Sequence, residues 1–318
     1  MVQPNGKGLD QKEIGRNKAL NSNKMSNISL IIEERAASIG KFLVGRLLPF
    51  VQKRAVGPFV FIDHMGPVQL DKGQNLDVPP HPHIGLSTLT FLFEGSILHK
   101  DSLGTSVEVK PGEVNWMTAG KGVVHSERTP DYLRKVDKSL HGLQIWVALP
   151  KNLEQMPPSF SHISAEEIPA WEQEGVKMKL IAGKAFGKKS PVPTYSKLYF
   201  LEIKSTKTAE LTLGDHLFGE SALYILNGGI SAEGNTYGPK QLLVANDSKL
   251  CSFTMAENST VYLFGGEPFP EERYIDWNFV SSNKEIIKAA KLKWVDQKFP
   301  KVPGETDFVP LPLPRSAK

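Results

Sequence analysis

Two short stretches, Pro79-Pro-His-Pro-His-Ile-Gly85 and Gly122-Val-Val-His-Ser-Glu127, each place two polar side chains two residues apart between turn-forming residues. Along a β-strand, residues i and i+2 point to the same face of the sheet. The first stretch therefore presents two imidazoles on one face, and the second presents an imidazole and a carboxylate. If the two strands are neighbours in a barrel, four side chains converge on its interior. These are His81, His83, His125 and Glu127.

Three neutral imidazoles and one carboxylate form a donor set that suits a borderline divalent metal ion. Four protein ligands leave two positions of an octahedron for water, substrate or O2, so the pattern predicts a catalytic site with one metal ion per chain. Nitrogen and oxygen ligands accept Fe, Mn, Co, Ni or Cu, so the sequence does not select among these metals. Glu127 is predicted both as a ligand and as a catalytic base that accepts a proton from a substrate hydroxyl group.

Five further histidines lie outside these two pairs. A single histidine on a strand is usually a hydrogen-bonded core or surface residue, and each of the five is assigned that role. A His-x-His pair alone is a weak signal, whereas its combination with a His-x-Glu pair in a β-rich stretch is more specific. The five are His64, His99, His141, His162 and His216.

Short apolar runs separated by glycine and proline extend through most of the chain, which contains 27 Gly and 23 Pro among 318 residues. This pattern predicts many short strands, as in a β-sandwich or barrel. One helix is predicted at about 283–298, where Ser282 and Glu285 form a capping box and Pro300 follows the helix end. The predicted fold class is therefore all-β, with two barrels of similar strand number and a C-terminal helix.

Five segments follow from this pattern along the chain. A chain of this length is comfortable for two domains. The second β series contains no paired histidines, so only the first barrel is expected to bind metal. The segments are a disordered extension (1–27), an N-terminal metal-binding barrel (28–150), a linker region (151–196), a C-terminal barrel without metal ligands (197–280), and a helix with an extended tail (281–318).

The charge distribution argues against a nucleic-acid-binding body. The net charge is +4, but residues 1–24 carry +3 and residues 280–318 carry +4, which leaves −3 for the body between them. A DNA-reading domain would carry a basic face on its folded body. The single cysteine excludes an intramolecular disulfide and favours a cytoplasmic location, or a nuclear one in a eukaryotic cell. No run of about 18 apolar residues is present, so no membrane span is predicted.

The chain resembles the pirin family of the cupin superfamily from about Ile28 to the helix. Cupins in general place a glutamate ligand four or five residues after the second histidine, where this chain has Ser87 and Thr88. The carboxylate instead follows the third histidine by two residues, as it does in pirins. The resemblance is carried by Phe61-Ile-Asp63, His81-Pro-His-Ile-Gly85, Phe93-Glu-Gly95, Pro111–Gly122, His125-Ser-Glu127, Gly142-Leu-Gln-Ile-Trp146 and Gly265-Gly-Glu-Pro268.

The resemblance implies two cupin barrels of the double-stranded β-helix, or jelly-roll, type, with Fe(II) bound in the first barrel only. Several pirins are similar in activity to quercetin 2,3-dioxygenases, which open flavonols with O2 and release CO. The expected partners are therefore an aromatic small molecule and O2. Gln144 and Trp146 are expected to contact the substrate, because they lie on the inward face of their strand. Without a heptad or a large exposed apolar stripe, the chain is expected to be a monomer.

Two alternatives to the dioxygenase remain open. Animal pirins are nuclear, iron-dependent regulators of transcription factors, so the chain could instead be a redox-sensing binding protein with a protein partner. The basic helix is the candidate docking face, although a solvated helix face is the simpler interpretation. A non-oxidative isomerase or lyase is the other alternative, and the lack of a glutamate at Ser87 or Thr88 argues against it. The helix lysines are Lys284, Lys288, Lys291 and Lys293.

Overall fold

The structure is a computed structural model that describes residues 27–39, 42–173, 175–245 and 252–312. The predicted extension at 1–27 lies outside the described residues except for Asn27, and so do residues 313–318 of the predicted tail. Within the described ranges the chain forms 25 strands, three short 3-10 helices and one α-helix. The 3-10 helices are Asp131–Leu133, Lys151–Leu153 and Gly214–His216.

The strands of the first half are short and separated by turns, as the glycine and proline pattern predicts. They are β1 (Ile28–Glu33), β2 (Arg35–Ile39), β3 (Phe42–Leu48), β4 (Phe59–Leu70), β5 (Asp77–His83), β6 (Leu86–Glu94), β7 (Ile97–Asp101), β8 (Ser106–Val109), β9 (Val114–Thr118), β10 (Val123–Arg128), β11 (Lys138–Ala148) and β12 (Ser159–Ile163).

The second half continues the same architecture up to the helix. Its strands are β13 (Ala170–Gln173), β14 (Val176–Ala185), β15 (Lys188–Lys189), β16 (Leu198–Ser205), β17 (Ala209–Thr212), β18 (Glu220–Asn227), β19 (Ile230–Ala232), β20 (Asn235–Tyr237), β21 (Gln241–Ala245), β22 (Ser252–Met255), β23 (Thr260–Gly266), β24 (Tyr274–Asp276) and β25 (Phe279–Ser281).

The first barrel consists of a seven-stranded sheet and a four-stranded sheet. The order in the larger sheet is β12-β9-β6-β11-β4-β3-β2, and the order in the smaller sheet is β5-β10-β7-β8. Side chains of alternate residues from both sheets meet in the interior, as the two-residue period of a strand requires. The smaller sheet carries both predicted histidine pairs, on its neighbouring strands β5 and β10. Apolar interior residues include Val44, Met65, Leu76, Leu92, Ile97, Val109 and Leu140.

The second barrel repeats this arrangement with an apolar interior. Its larger sheet has the order β1-β21-β18-β23-β16-β14-β13, with β15 paired to β14, and its smaller sheet has the order β17-β22-β19-β20. Leu201, Phe253 and Met255 are among the buried side chains that fill its interior. In its described part, no three potential metal ligands lie close together.

The boundaries of the two barrels, as strand pairing defines them, differ from the predicted boundaries. We expected residues 28–150 to form the first barrel, but β1 pairs with β21 of the second barrel, with Ile28 opposite Ala245. The expected linker, 151–196, contributes β12 to the first barrel and β13 to β15 to the second. The physical reason is that residue alternation marks a strand but does not specify which distant edge it pairs with.

The two large sheets pack face to face and form an apolar interface between the barrels. Phe59 of the first barrel lies 5.1 Å from Phe264 of the second, between ring centroids, and Phe93 stacks on Tyr262 at 5.2 Å. Residues of both barrels belong to one continuous core. Strands such as β6 are therefore buried on both faces, and seven of its nine residues, including Ser87, Thr88 and Thr90, are buried.

The helix α1 (Lys284–Val295) is shorter than the predicted 283–298, and its cap differs from the prediction. Ser282 was wrong as the N-cap, because Glu154 accepts hydrogen bonds from both its backbone N–H (2.8 Å) and its hydroxyl (3.3 Å). Asn283 caps the helix instead and accepts from the Glu285 N–H at 2.9 Å. Within the described residues, no helix is long and apolar enough to cross a membrane.

The segment after the helix lies across the outer face of the two histidine-bearing strands. The Val309 N–H donates to the Pro80 carbonyl of β5 at 2.9 Å. Glu305 accepts from the Arg128 guanidinium at 2.5 Å and from the Ser126 hydroxyl at 3.2 Å, both on β10. The tail therefore contacts β5 and β10 together and helps to hold their relative position.

Gly85 lies two residues after His83 and permits a close approach of the β24–β25 hairpin. Its φ is +68°, and a Cβ added there would lie 1.9 Å from the Val280 carbonyl oxygen. A left-handed conformation alone costs an L-residue about 1–2 kcal/mol. We expect Gly85→Ala to lower the free energy of unfolding by more than this, measured by urea denaturation. Gly73→Ala is the matched control, since Gly73 has φ +85° with nothing within 4 Å. Equal losses in the two variants would contradict the expected clash.

Candidate metal centre

Three of the four predicted ligands form one compact group in the first barrel. His81 and His83 lie on β5, and His125 lies directly opposite His81 on β10. One ligand nitrogen of each ring lies within 4.8 Å of the other two. The ring centroids of His81 and His125 are 4.3 Å apart, and those of His83 and His125 are 5.0 Å apart. The convergence predicted from residue spacing therefore holds for the three imidazoles.

Burial keeps all three imidazoles neutral. His81, His83 and His125 are 8%, 1% and 2% exposed. Burial lowers the pKa of His81 to about 4, and it lowers the pKa values of His83 and His125 well below the ordinary histidine value. A neutral imidazole carries a lone pair on one ring nitrogen and can act as a metal ligand.

Hydrogen bonds orient the three rings so that their Nε2 atoms remain free. The His81 Nδ1–H donates to the Pro79 carbonyl at 2.9 Å, and the His83 Nδ1–H donates to the Asn278 carbonyl at 3.1 Å. The Nδ1 atom of His125 lies 3.3 Å from the Nδ1 atom of His99. Backbone carbonyls and side chains commonly orient metal-bound histidines in this way.

The His125 Nε2 atom provides a test of whether these residues fit a metal ion. It is buried and has no hydrogen-bond partner. An unsatisfied buried polar atom costs about 1–3 kcal/mol, so it calls for a specific explanation. A divalent ion bound to the three Nε2 atoms would satisfy it, and the three-imidazole donor set suits such an ion. The residues therefore fit a mononuclear metal site.

Glu127 is displaced from the imidazole group by an irregularity in strand pairing. His125 lies opposite His81, but Glu127 lies opposite Val78, so the register shifts by one residue between them. Its carboxylate is not part of the group of ligand atoms within 4.8 Å. Burial alone raises the pKa of the Glu127 carboxyl to about 7. Its predicted roles as ligand and base remain predictions.

A small cavity lies beside Glu127 and leads toward the surface. Its volume is about 30 Å³, and it shares lining residues with a surface groove of about 870 Å³. Glu127 and Gln144 are the polar side chains that line the cavity. The rest of its lining is apolar except for the glycine backbone: Ile39, Phe42, Leu43, Val44, Met65, Gly66, Val68, Leu76, Val78 and Leu140.

The two predicted substrate contacts lie close to this centre. Gln144 accepts a hydrogen bond from the Thr90 hydroxyl at 2.9 Å and lines the same cavity as Glu127. Trp146 stacks on Phe61 at 4.0 Å and meets the edge of the His83 ring at 5.1 Å. Contact of either side chain with a substrate remains a prediction.

The sequence analysis missed three groups around the histidines: the side chains of His99 and Asp101, and the Asn278 carbonyl. His99 was assigned a structural role, yet it contacts His125, and Asp101 lies 3.1 Å from its other ring nitrogen. The His99-Lys-Asp101 spacing places both side chains on one face of a strand, and this signal could have identified them. The contact between His83 and Asn278 is made by the Asn278 backbone carbonyl. Every residue has such a carbonyl, so the sequence could not have indicated this contact.

The fold and the site together define a class of protein, namely two-barrel cupins whose first barrel could hold a metal ion on three histidines. The profile of the family described as Pirin matches residues 42–147, and that described as Pirin C-terminal cupin domain matches residues 200–300. The chain belongs to the pirin family. The expected all-β bicupin fold is thereby confirmed.

Relatives and a solved structure agree with this assignment over nearly the whole chain. A Caulobacter vibrioides pirin-like protein is 46% identical over 292 residues, which are 90% of this chain and 99% of the relative. A Pseudomonas aeruginosa protein named "Putative quercetin 2,3-dioxygenase PA1205" is 37% identical over 83% of this chain and 82% of its own length. A crystal structure of quercetin 2,3-dioxygenase from Acinetobacter baumannii superposes with a TM-score of 0.81, with 32% identity over 91% of this chain and 97% of that one.

Proposed function

We propose that the protein is a metal-dependent dioxygenase that cleaves a flavonol or a related phenolic compound with O2. The observation that carries the proposal is the grouping of three imidazole nitrogens within 4.8 Å of one another, with Glu127 of β10 lining a small cavity. The similarity to proteins named as quercetin 2,3-dioxygenases supports the choice of substrate class. Fe(II) is the proposed metal, and Mn, Co, Ni or Cu would fit the same donors.

Each residue of the site has a distinct task in this proposal. The metal ion, when bound to His81, His83 and His125, supplies Lewis acidity and redox chemistry toward O2. Glu127 takes the proton of a substrate hydroxyl group, and it is a fourth ligand only if its carboxylate moves toward the imidazoles. Gln144 hydrogen-bonds the substrate, and Trp146 packs against it.

The surroundings of the site suit an aromatic substrate. The apolar cavity lining buries ring carbons, whereas Glu127 and Gln144 offer polar partners for hydroxyl groups. A cavity of about 30 Å³ corresponds to about one water molecule. A flavonol is larger than this cavity, so its entry requires movement of the lining side chains that the cavity shares with the larger groove. We further propose that the protein is a cytoplasmic monomer.

A redox-sensing regulatory role is the second candidate, with the basic face of α1 as its docking face. Its expected docking face consists of four lysines, all of which already have partners within the protein. Lys288 is 72% exposed and lies 3.8 Å from Glu285, so a contact of this kind leaves the face accessible, and the enzymatic proposal rests on the metal centre instead. The contacts are Lys284 over Tyr274, Lys288 with Glu285, Lys291 with Asp276, and Lys293 over Phe299.

Aerobic turnover of quercetin by the iron-loaded protein tests the enzymatic proposal. We expect loss of flavonol absorbance together with release of CO. His83→Ala removes one of the three nitrogens and should reduce turnover to the rate of free iron. Equal rates for the two proteins would end the proposal, and a partner captured only in one redox state would favour the regulatory alternative.

A further inference from the structure

We propose that Asp101 and His99 act as positioning residues that hold the His125 imidazole in the tautomer whose Nε2 lone pair faces the metal ion. The inference rests on the proposed metal centre and adds two residues to it. Asp101 and His99 lie on β7, which pairs with β10 so that Asp101 is directly opposite His125. The three side chains form one chain of contacts: Asp101 to His99, and His99 to His125.

The Asp101 carboxylate is fixed in one orientation. It is fully buried, and its Oδ1 atom accepts from the backbone N–H groups of Leu103 (2.9 Å) and Thr105 (3.0 Å). Only its Oδ2 atom faces the His99 Nε2 atom, at 3.1 Å. The His99 ring is stacked on Phe160 with a centroid distance of 4.5 Å, and this packing opposes rotation of the ring.

The positions of the ring protons follow from these contacts. An ionised carboxylate only accepts hydrogen bonds, so a His99 ring with a single proton carries it on Nε2. The His99 Nδ1 atom is then an acceptor, and it lies 3.3 Å from the His125 Nδ1 atom, which must donate. A neutral His125 with its proton on Nδ1 has a bare Nε2, and this is the buried atom without a partner.

His125 differs from the other two histidines in how it is oriented. His81 and His83 donate to backbone carbonyls, which accept hydrogen bonds whatever the nearby side chains are. His125 faces another imidazole, which can donate or accept. Its tautomer therefore depends on Asp101, and a substitution two contacts away from the metal can change it.

Asp101→Asn is expected to reverse the direction of the hydrogen bonds. The amide oxygen must stay at the Oδ1 position, because two backbone N–H groups point at it. The amide NH2 then donates to the His99 Nε2 atom, so the His99 proton moves to Nδ1. There it would point at the His125 Nδ1–H, and two hydrogen-bond donors would face each other. His125 relieves this conflict by carrying its proton on Nε2, which blocks metal binding. We expect a 10–100-fold loss of Co(II) affinity, the range typical of changes next to ligands.

His99→Asn supplies the matched rescue. Its amide oxygen takes the place of the His99 Nδ1 atom and accepts from His125 without help from Asp101. We expect Asp101→Asn to cost much less Co(II) affinity in the His99→Asn background than in the wild-type background. If Asp101 only stabilised the turn at 101–105, its substitution would cost the same in both backgrounds. The double variant therefore separates positioning from a general structural effect.

The experiment is a Co(II) titration of the full chain, monitored by visible d–d absorption and by competition with a chelator. Unfolding of the metal-free variants is the folding control. The expected result is weak binding for Asp101→Asn alone. Binding by Asp101→Asn equal to that of wild type, or an unchanged loss in the double variant, would overturn the role of Asp101. Absence of Co(II) binding in the wild-type protein would instead refute the metal centre.

Discussion

Replacing His125 with alanine is expected to abolish specific metal binding and to reduce quercetin turnover to background. His125 is the ligand supplied by β10, and the other two imidazoles both belong to β5. Two side chains from one strand cannot enclose an ion from opposite sides. The loss of affinity should therefore exceed the 10–100-fold loss that changes next to ligands produce. Elemental analysis after dialysis, together with Co(II) titration, measures it.

His162→Ala is the control for this prediction. His162 belongs to β12 of the same barrel, is partly buried, and is hydrogen-bonded to the Asn115 side chain at 2.8 Å. It lies outside the three-imidazole group, so the control variant should keep its full metal content and turnover. Stoichiometric metal in the His125→Ala protein would show that the ion binds elsewhere and would contradict the proposed centre.

The part of the site that depends on local spacing could be predicted from the sequence. The i, i+2 period of a strand fixes the faces of His81 and His83, whatever the rest of the fold is. The facing arrangement of His81 and His125 required one further assumption, that their strands are neighbours, and the structure pairs them directly. The resemblance to pirins predicted the fold correctly. Its histidine motifs lie on these same two strands, β5 and β10.

The parts that depend on distant pairing could not be predicted. Nothing in Ile28–Glu33 indicates that this strand completes the second barrel, more than 200 residues away along the chain. The register shift that separates Glu127 from the imidazoles is a property of two strands together. His99 was assigned a structural role because histidines were weighed singly, although Asp101 follows it at the same spacing that identified the other pairs.

The dependence of the centre on the C-terminal segments is a further consequence of long-range contacts. The carbonyl that orients His83 belongs to Asn278, between β24 and β25. Glu154 anchors the end of this hairpin by accepting from the Ser281 hydroxyl at 2.7 Å and by pairing with Arg273. The metal-binding barrel therefore includes ligand-orienting groups from beyond the second barrel, and its ligands are not organised by residues 28–150 alone.

Glu127→Gln is expected to lower kcat for quercetin by about 10²–10⁴-fold, the usual contribution of a positioned acid or base. The amide has the shape of the carboxylate but cannot accept the hydroxyl proton. Metal binding should be retained, because the carboxylate lies outside the group of three imidazole nitrogens. KM should change little, since the proton is transferred only during the reaction. Steady-state kinetics and metal content of the same preparation measure the two effects together.

Glu202→Gln provides the matched control for a buried glutamate. Glu202 is 7% exposed, accepts from the Tyr262 hydroxyl at 2.7 Å, and belongs to β16 of the second barrel. Its substitution should leave both turnover and metal content unchanged.

If Glu127→Gln lost its metal, the carboxylate would be a fourth ligand rather than an independent base. If it kept both metal and kcat, another group would have to accept the proton. Loss of kcat with full metal content is the combination that assigns Glu127 as the base, because neither a ligand nor an inert cavity residue would produce it.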